Sequence, residues 1–166
     1  MSDRPVVPVA LGLGSNLGES LKMLRAAVKA LAPYIEITAV SSVYESSPLY
    51  VPDQPVFMNA ALVGKTGIEP LALMWTIKDI EREIGRAPVY HYGPRMIDID
   101  MIFYGDMVIK TPELRIPHAQ MTEREFVLRP LNEIAPEWKH PESGRSVAAM
   151  LGQVQGGGMK CVGKVL

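Results

Sequence analysis

The sequence predicts an α+β domain: an antiparallel sheet with two helices on one face, followed by extra C-terminal helices. Three observations carry this. Runs of β-branched and apolar residues alternate with two segments of helical periodicity in the order strand, helix, strand, strand, helix, strand. The two middle strands are joined by a loop without a helical pattern, as antiparallel neighbours allow. The chain has 166 residues, 48% of them apolar, enough for one domain with a real core.

Each element has its own signal. Residues 6 to 13 read as a strand ending in "GLGSNLG". That stretch lacks the Lys-Ser/Thr of a P-loop and the third glycine of the dinucleotide fingerprint, so the structural reading is preferred: the glycines make a tight turn, and Ser15 or Asn16 caps the next helix. Leu21, Leu24, Val28 and Leu31 share one face of that helix, with Lys22, Arg25 and Lys29 outside. "IEITAVSSVYES" (35–46) is the second strand and "VFMNAALVG" (56–64) the third, around the Pro-rich loop "SPLYVPDQP". In "TGIEPLALMWTIKDIEREIGR", Pro70 suits a first turn, Leu73, Ile77, Ile80 and Ile84 line one face, and Gly85 ends the helix. The loop "APVYHYGPR" leads into the strand "MIDIDMIFYG".

After residue 105 come "IPH", a mainly helical stretch through "REFVLRPLNEIAP", a short helix near "SVAAML", and "GGG" before a tail that is either an edge strand or frayed. The element order matches the split, ferredoxin-like βαββαβ pattern, with one sheet face covered and the other free. A single domain, 1–166, is expected, with its core at about 6–151 and a tail at 152–166.

Composition narrows the function. With 17 basic and 18 acidic side chains the chain lacks the positive surplus of a nucleic-acid binder, so an anionic ligand must meet a local cluster. Cys161 is the only cysteine, which excludes internal disulfides and multi-thiolate zinc sites and fits a cytoplasmic location. "VVPVALGLG" is too short to span a bilayer and lacks the flanks of a signal peptide, so no membrane attachment is expected.

The chemistry concentrates in "GPRMIDIDMIFYG" (93–105). Strand alternation puts Asp98 and Asp100 on one face, and Ile97, Ile99, Met101 and Phe103 on the other. Two carboxylates whose Cα atoms are only about 7 Å apart repel, and a hard divalent cation is the natural partner; Mg²⁺ takes one or two carboxylates plus waters and phosphate oxygens. An edge strand whose aspartates face water is the plainer alternative for a bare D-x-D. On the third strand, Phe57, Asn59 and Ala61 share a face, and an aromatic plate beside a carboxamide suits a flat heterocycle. Arg86, Arg95, His118, Arg124 and Arg129 cluster in sequence around the aspartates; folded onto one face they would rim an acidic floor with positive charge, as phosphoryl transfer needs. Taken singly, each arginine reads as a solvated surface residue.

"GSNLG", "SSPLYVPDQPVFMNAAL", "GPRMIDIDMIFYG", "IPH" and "EREFVLRPLNEIAPEW" occur in the order and spacing of the 6-hydroxymethyl-7,8-dihydropterin pyrophosphokinases of folate biosynthesis, which the chain resembles from about residue 8 to 151. The resemblance implies transfer of the diphosphate of ATP to the pterin's hydroxymethyl group, releasing AMP, with two Mg²⁺ ions. It implies Asp98 and Asp100 as metal ligands. Phe57 and Phe126 would sandwich the pterin, with Asn59 on its edge and the backbone around Ser46, Ser47 and Leu49 helping. Arg86, Arg95, His118 and Arg124 would meet the phosphates, while Lys78, Glu81 and the backbone near Met101 would meet the nucleotide. The loops at 46 to 55 and 86 to 94 would close over the site. In "APVYHYGPR" the chain departs from the family pattern, which is one residue longer, richer in arginine and carries a tryptophan before G-P-R.

The expected partners are therefore small molecules, with no nucleic acid and no membrane, and a monomer is expected. Two rivals remain at this point: a metal-dependent nucleotidyltransferase, which would release pyrophosphate, and a non-enzymatic ligand-binding domain of the same fold.

Overall fold

In the computed structural model, residues 5–15, 20–46, 57–85, 97–154 and 159–165 are described. They form β1 (Val7–Ser15), α1 (Ser20–Leu31), β2 (Glu36–Val40), β3 (Ser42–Ser46), β4 (Phe57–Thr66), α2 (Pro70–Gly85), β5 (Asp98–Tyr104), β6 (Ile109–Lys110), β7 (Arg115–Ile116), a 3-10 turn (Met121–Glu123), α3 (Glu125–Ile134), α4 (Val147–Gln153) and β8 (Met159–Lys164). The main sheet is antiparallel in the order β5-β1-β4-β3-β8, with β2 beside β4. β6 and β7 pair as a small separate hairpin.

Period-two alternation in β1 and β4 divides the core in two. Val9, Leu11, Leu13, Ala60 and Leu62 face α1 and α2, packing against Leu24, Leu31, Leu73 and Ile77. The intervening Ala10, Ala61 and Val63 face the other way, against Leu128 and Leu131 of α3 and Val147 and Met150 of α4. The sequence predicts this second face to be free. Instead the C-terminal helices cover part of it, because α3 carries an apolar stripe of its own that has to be buried.

Two irregularities depart from the expected strands. The run from 35 to 46 breaks at Ser41, whose side chain enters the ladder: its Oγ accepts from the Ala61 amide at 2.8 Å and donates to the Ser42 carbonyl at 2.7 Å. In β5, Ala10 pairs with Phe103 and Leu11 with Met101, so Ile102 is an extra residue. This bulge resets the alternation: Ile97, Ile99 and Met101 join the α1/α2 core as predicted, but Phe103 turns to the opposite face and stacks on Trp138 at 5.1 Å between ring centroids. The tail, left open between edge strand and frayed end, is edge strand β8, and Arg25 Nε donates to the Val165 carbonyl at 2.6 Å.

Candidate active site

At the end of the second face beyond α3 and α4, neighbouring strands bring several predicted residues together. Gly14 of β1 lies in register between Asp98 on β5 and Asn59 on β4; Gly12 lies between Asp100 and Ala61. Phe57 follows two residues before Asn59 on the same face. The face thus carries a carboxylate pair on one side, an aromatic ring and a carboxamide on the other, and a strip of bare backbone between.

That strip is a shelf that only glycine leaves open. A Cβ at Gly14 would stand 3.2 Å from Asn59 Oδ1 and 3.4 Å from Phe57 Cε1, and one at Gly12 would stand 3.2 Å from Ile102 Cδ1. Sequence reasoning treated these glycines as turn formers. Their spacing of two within a strand was the signal that both share one face with the aspartates.

Asn59 is 3% exposed, and its Nδ2 has no hydrogen-bond partner among the described residues. A buried amide donor without a partner is costly unless a ligand completes it. An acceptor on a ligand lying over this face would complete it. Tyr44 stands across from Asn59 on β3, and Ser46 across from Phe57, donating from Oγ to the Phe57 carbonyl at 3.1 Å. Burial and the neighbouring Glu133 carboxylate raise the Tyr44 pKa, so its hydroxyl stays a donor at any physiological pH.

Asp100 is partly exposed, and His118 Nε2 approaches its Oδ2 to 3.9 Å. The His118 amide donates to the Ile102 carbonyl at 3.1 Å, and its Nδ1 accepts from the Gln120 amide at 3.4 Å. That network assigns the proton of a neutral imidazole to Nε2, the nitrogen facing Asp100. Phe126, in the first turn of α3, is 39% exposed and lies 5.4 Å under the Arg124 guanidinium, which also hydrogen-bonds Gln120.

Other predicted residues sit differently. Glu81 Oε2 accepts from the Ile99 amide at 2.7 Å and Oε1 pairs with Lys78 at 3.2 Å, so this pair braces α2 against the aspartate strand. The Met101 side chain is buried in the first core, leaving only its backbone at the sheet edge. Arg86, Arg95, Ser47 and Leu49 lie outside the described residues, as does nearly all of the two loops predicted to close over the site.

The donor set fits magnesium that shares its coordination with a ligand. Among the described residues no cluster of three or more His, Cys, Asp or Glu side chains is placed to cage an ion. Two carboxylates on an open shelf leave most positions to water and phosphate oxygens, which is how Mg²⁺ binds.

Residues 10–136 match the family described as 7,8-dihydro-6-hydroxymethylpterin-pyrophosphokinase. The chain is 41% identical over 133 residues to the 2-amino-4-hydroxy-6-hydroxymethyldihydropteridine pyrophosphokinase of Aquifex aeolicus, covering 80% of this chain and 83% of that one. It is 41% identical over 142 residues to the folic acid synthesis protein fol1 of Pneumocystis carinii, covering 85% of this chain but only 19% of that longer protein. The crystal structure of wild-type Plasmodium falciparum HPPK-DHPS superposes with a TM-score of 0.74 at 18% identity, over 92% of this chain and 45% of that one, a likeness of fold.

Proposed function

The chain belongs to the 7,8-dihydro-6-hydroxymethylpterin-pyrophosphokinase family, and on that premise we propose that it transfers the diphosphate of ATP to the hydroxymethyl group of 6-hydroxymethyl-7,8-dihydropterin, giving AMP and the pterin diphosphate. The observation that supports this most directly is the glycine shelf, which separates a carboxylate pair from an aromatic-amide pair by one strand. One end suits a triphosphate and the other a pterin, with one strand between them.

Phe57 provides the lower plate for the ring and Phe126 the upper one, while Asn59 meets the ring's edge with the amide nitrogen that no described residue engages. Asp98 and Asp100 would hold two Mg²⁺ ions, which supply charge neutralisation for the triphosphate and acidify the attacking hydroxyl. His118 presents its Nε2 proton beside Asp100, where it can donate to a phosphate oxygen. Arg124, Arg86 and Arg95 complete the positive rim. Lys78, Glu81 and the Met101 backbone line the edge of β5, where the nucleotide base would lie. With no conventional base assigned, positioning and charge stabilisation supply most of the rate.

The finer architecture follows the same reading. Taken as one broken strand, β2 and β3 with β1, α1, β4, α2 and β5 make the ferredoxin-like βαββαβ core, to which α3, α4 and β8 are added. Among the described residues no helix is long and apolar enough to cross a membrane; a cytoplasmic monomer acting on small molecules is the reading that goes with this function.

Phosphorus NMR of the protein with MgATP and the hydroxymethyl pterin tests the proposal. AMP and a pterin diphosphate are expected. Release of pyrophosphate would mean a nucleotidyltransferase instead, and an unchanged ATP spectrum would mean a binding domain.

A further inference from the structure

We propose that Glu133 is a positioning residue for the pterin end of the site: by gripping Ser42 and Tyr44 it fixes α3, and with it Phe126, over the strand that carries Phe57 and Asn59. This rests on the reading of that face as the pterin site.

Glu133 sits in the last turn of α3 and reaches across to β3, ninety-one residues away in sequence from Ser42. Its carboxylate accepts the Ser42 amide on both oxygens at 3.1 Å, the Ser42 hydroxyl at 3.1 Å and the Tyr44 hydroxyl at 2.7 Å. Nothing about the helix itself asks for a carboxylate there, because negative charge at a helix C-terminus opposes the macrodipole. The partners ask for it. Ser42 follows the strand break at Ser41 and is 9% exposed, so its amide and hydroxyl would be poorly satisfied without Glu133. Ser42 pairs with Lys164 of β8, while on the other side of β3 Tyr44 pairs with Asn59 and Ser46 with Phe57 of β4.

The other end of α3 is where a fixed position matters. Phe126 stands in the first turn, and Pro130 removes the amide that would have bonded its carbonyl. The placement of that turn therefore depends on how the helix body is docked. Leu128 and Leu131 dock it by burial, which is non-directional; a carboxylate that holds three donors adds a directional constraint. The gap between Phe126 and the β4 floor is thus set from the far end of the helix by a residue that touches no substrate.

Binding measured separately for the pterin and for MgATP tests this. Glu133→Ala is expected to weaken pterin binding about tenfold, equivalent to about 1.4 kcal/mol, and to leave MgATP binding within about twofold. Glu133→Gln, which keeps an acceptor oxygen, is expected to recover most of the loss. Tyr44→Phe removes a single oxygen, keeps the ring packing, and is expected to cost about threefold for the pterin alone. A merely stabilising network would lower the melting temperature without separating the two ligands. Phe57→Ala serves as the control for the site. If the parent binds pterin, Phe57→Ala abolishes it, and both Glu133→Ala and Tyr44→Phe bind like the parent, the inference is overturned and the site reading stands. If the parent itself does not bind pterin, both fall.

Discussion

Replacing Gly14 by alanine should separate ligand binding from stability more cleanly than any other single change on the shelf. The added methyl would stand 3.2 Å from Asn59 Oδ1 and 3.4 Å from Phe57 Cε1, so these neighbours must shift by a few tenths of an ångström. Alanine in a strand recovers about 0.5–1 kcal/mol relative to glycine, and pushing Asn59 or Phe57 off its rotamer costs about 0.5–1.5 kcal/mol. The net change in stability is therefore within about 1 kcal/mol, about 2–4 °C in Tm for a domain of this size. Ring binding has no such compensation. The methyl occupies the shelf and displaces the amide proposed to read the ring edge; losing two hydrogen bonds at about 1 kcal/mol each weakens binding about thirtyfold. Fluorescence titration with the pterin, alongside a thermal melt, measures both. Parental pterin affinity in Gly14→Ala would refute the assignment of the shelf to the ring.

Further outcomes follow from neighbouring features. Phe126→Ala is expected to weaken pterin binding by about tenfold or more and MgATP binding little, since it removes the proposed second plate for the ring; equal losses by calorimetry would count against stacking. His140, packed edge-on to Phe103, has its pKa lowered by burial, against a smaller opposing effect of Glu142. The folded state then favours the neutral imidazole while the unfolded chain takes up a proton near pH 6.5, so stability is full above that pH and declines as pH falls toward the lowered value. His140→Asn should flatten this decline when unfolding is compared at pH 7.5 and 5.5; an unchanged slope would remove His140 as its source.

What the sequence made legible was whatever depends on local period. Asp98 and Asp100 share a face because strands alternate, and Phe57 and Asn59 do so for the same reason. The same rule failed three residues past Asp100, where the Ile102 bulge sends Phe103 to the opposite core to meet Trp138; nothing within the strand announces a residue that packing requires to be extra. The apolar stripe of α3 was visible but not its partner, so the second sheet face was read as free. Gly12 and Gly14 were visible and misread, because a glycine pair at the end of a strand suggests a turn before it suggests a shelf. The Glu133 network could not have been found at all, since its partners lie about ninety residues apart and have no pattern of their own. Arg86 and Arg95 lie outside the described residues, and their roles rest on the family pattern.

The account depends on Asp98 and Asp100 anchoring magnesium that grips a triphosphate, and calorimetric titration of MgATP into the Asp98→Asn, Asp100→Asn double variant tests it most directly. The amides keep the shape of the carboxylates and remove only their charge, and a thermal melt establishes that the double variant is folded. MgATP affinity should fall by about a hundredfold or more, about 2.7 kcal/mol. Parental affinity for MgATP in the folded double variant would contradict it.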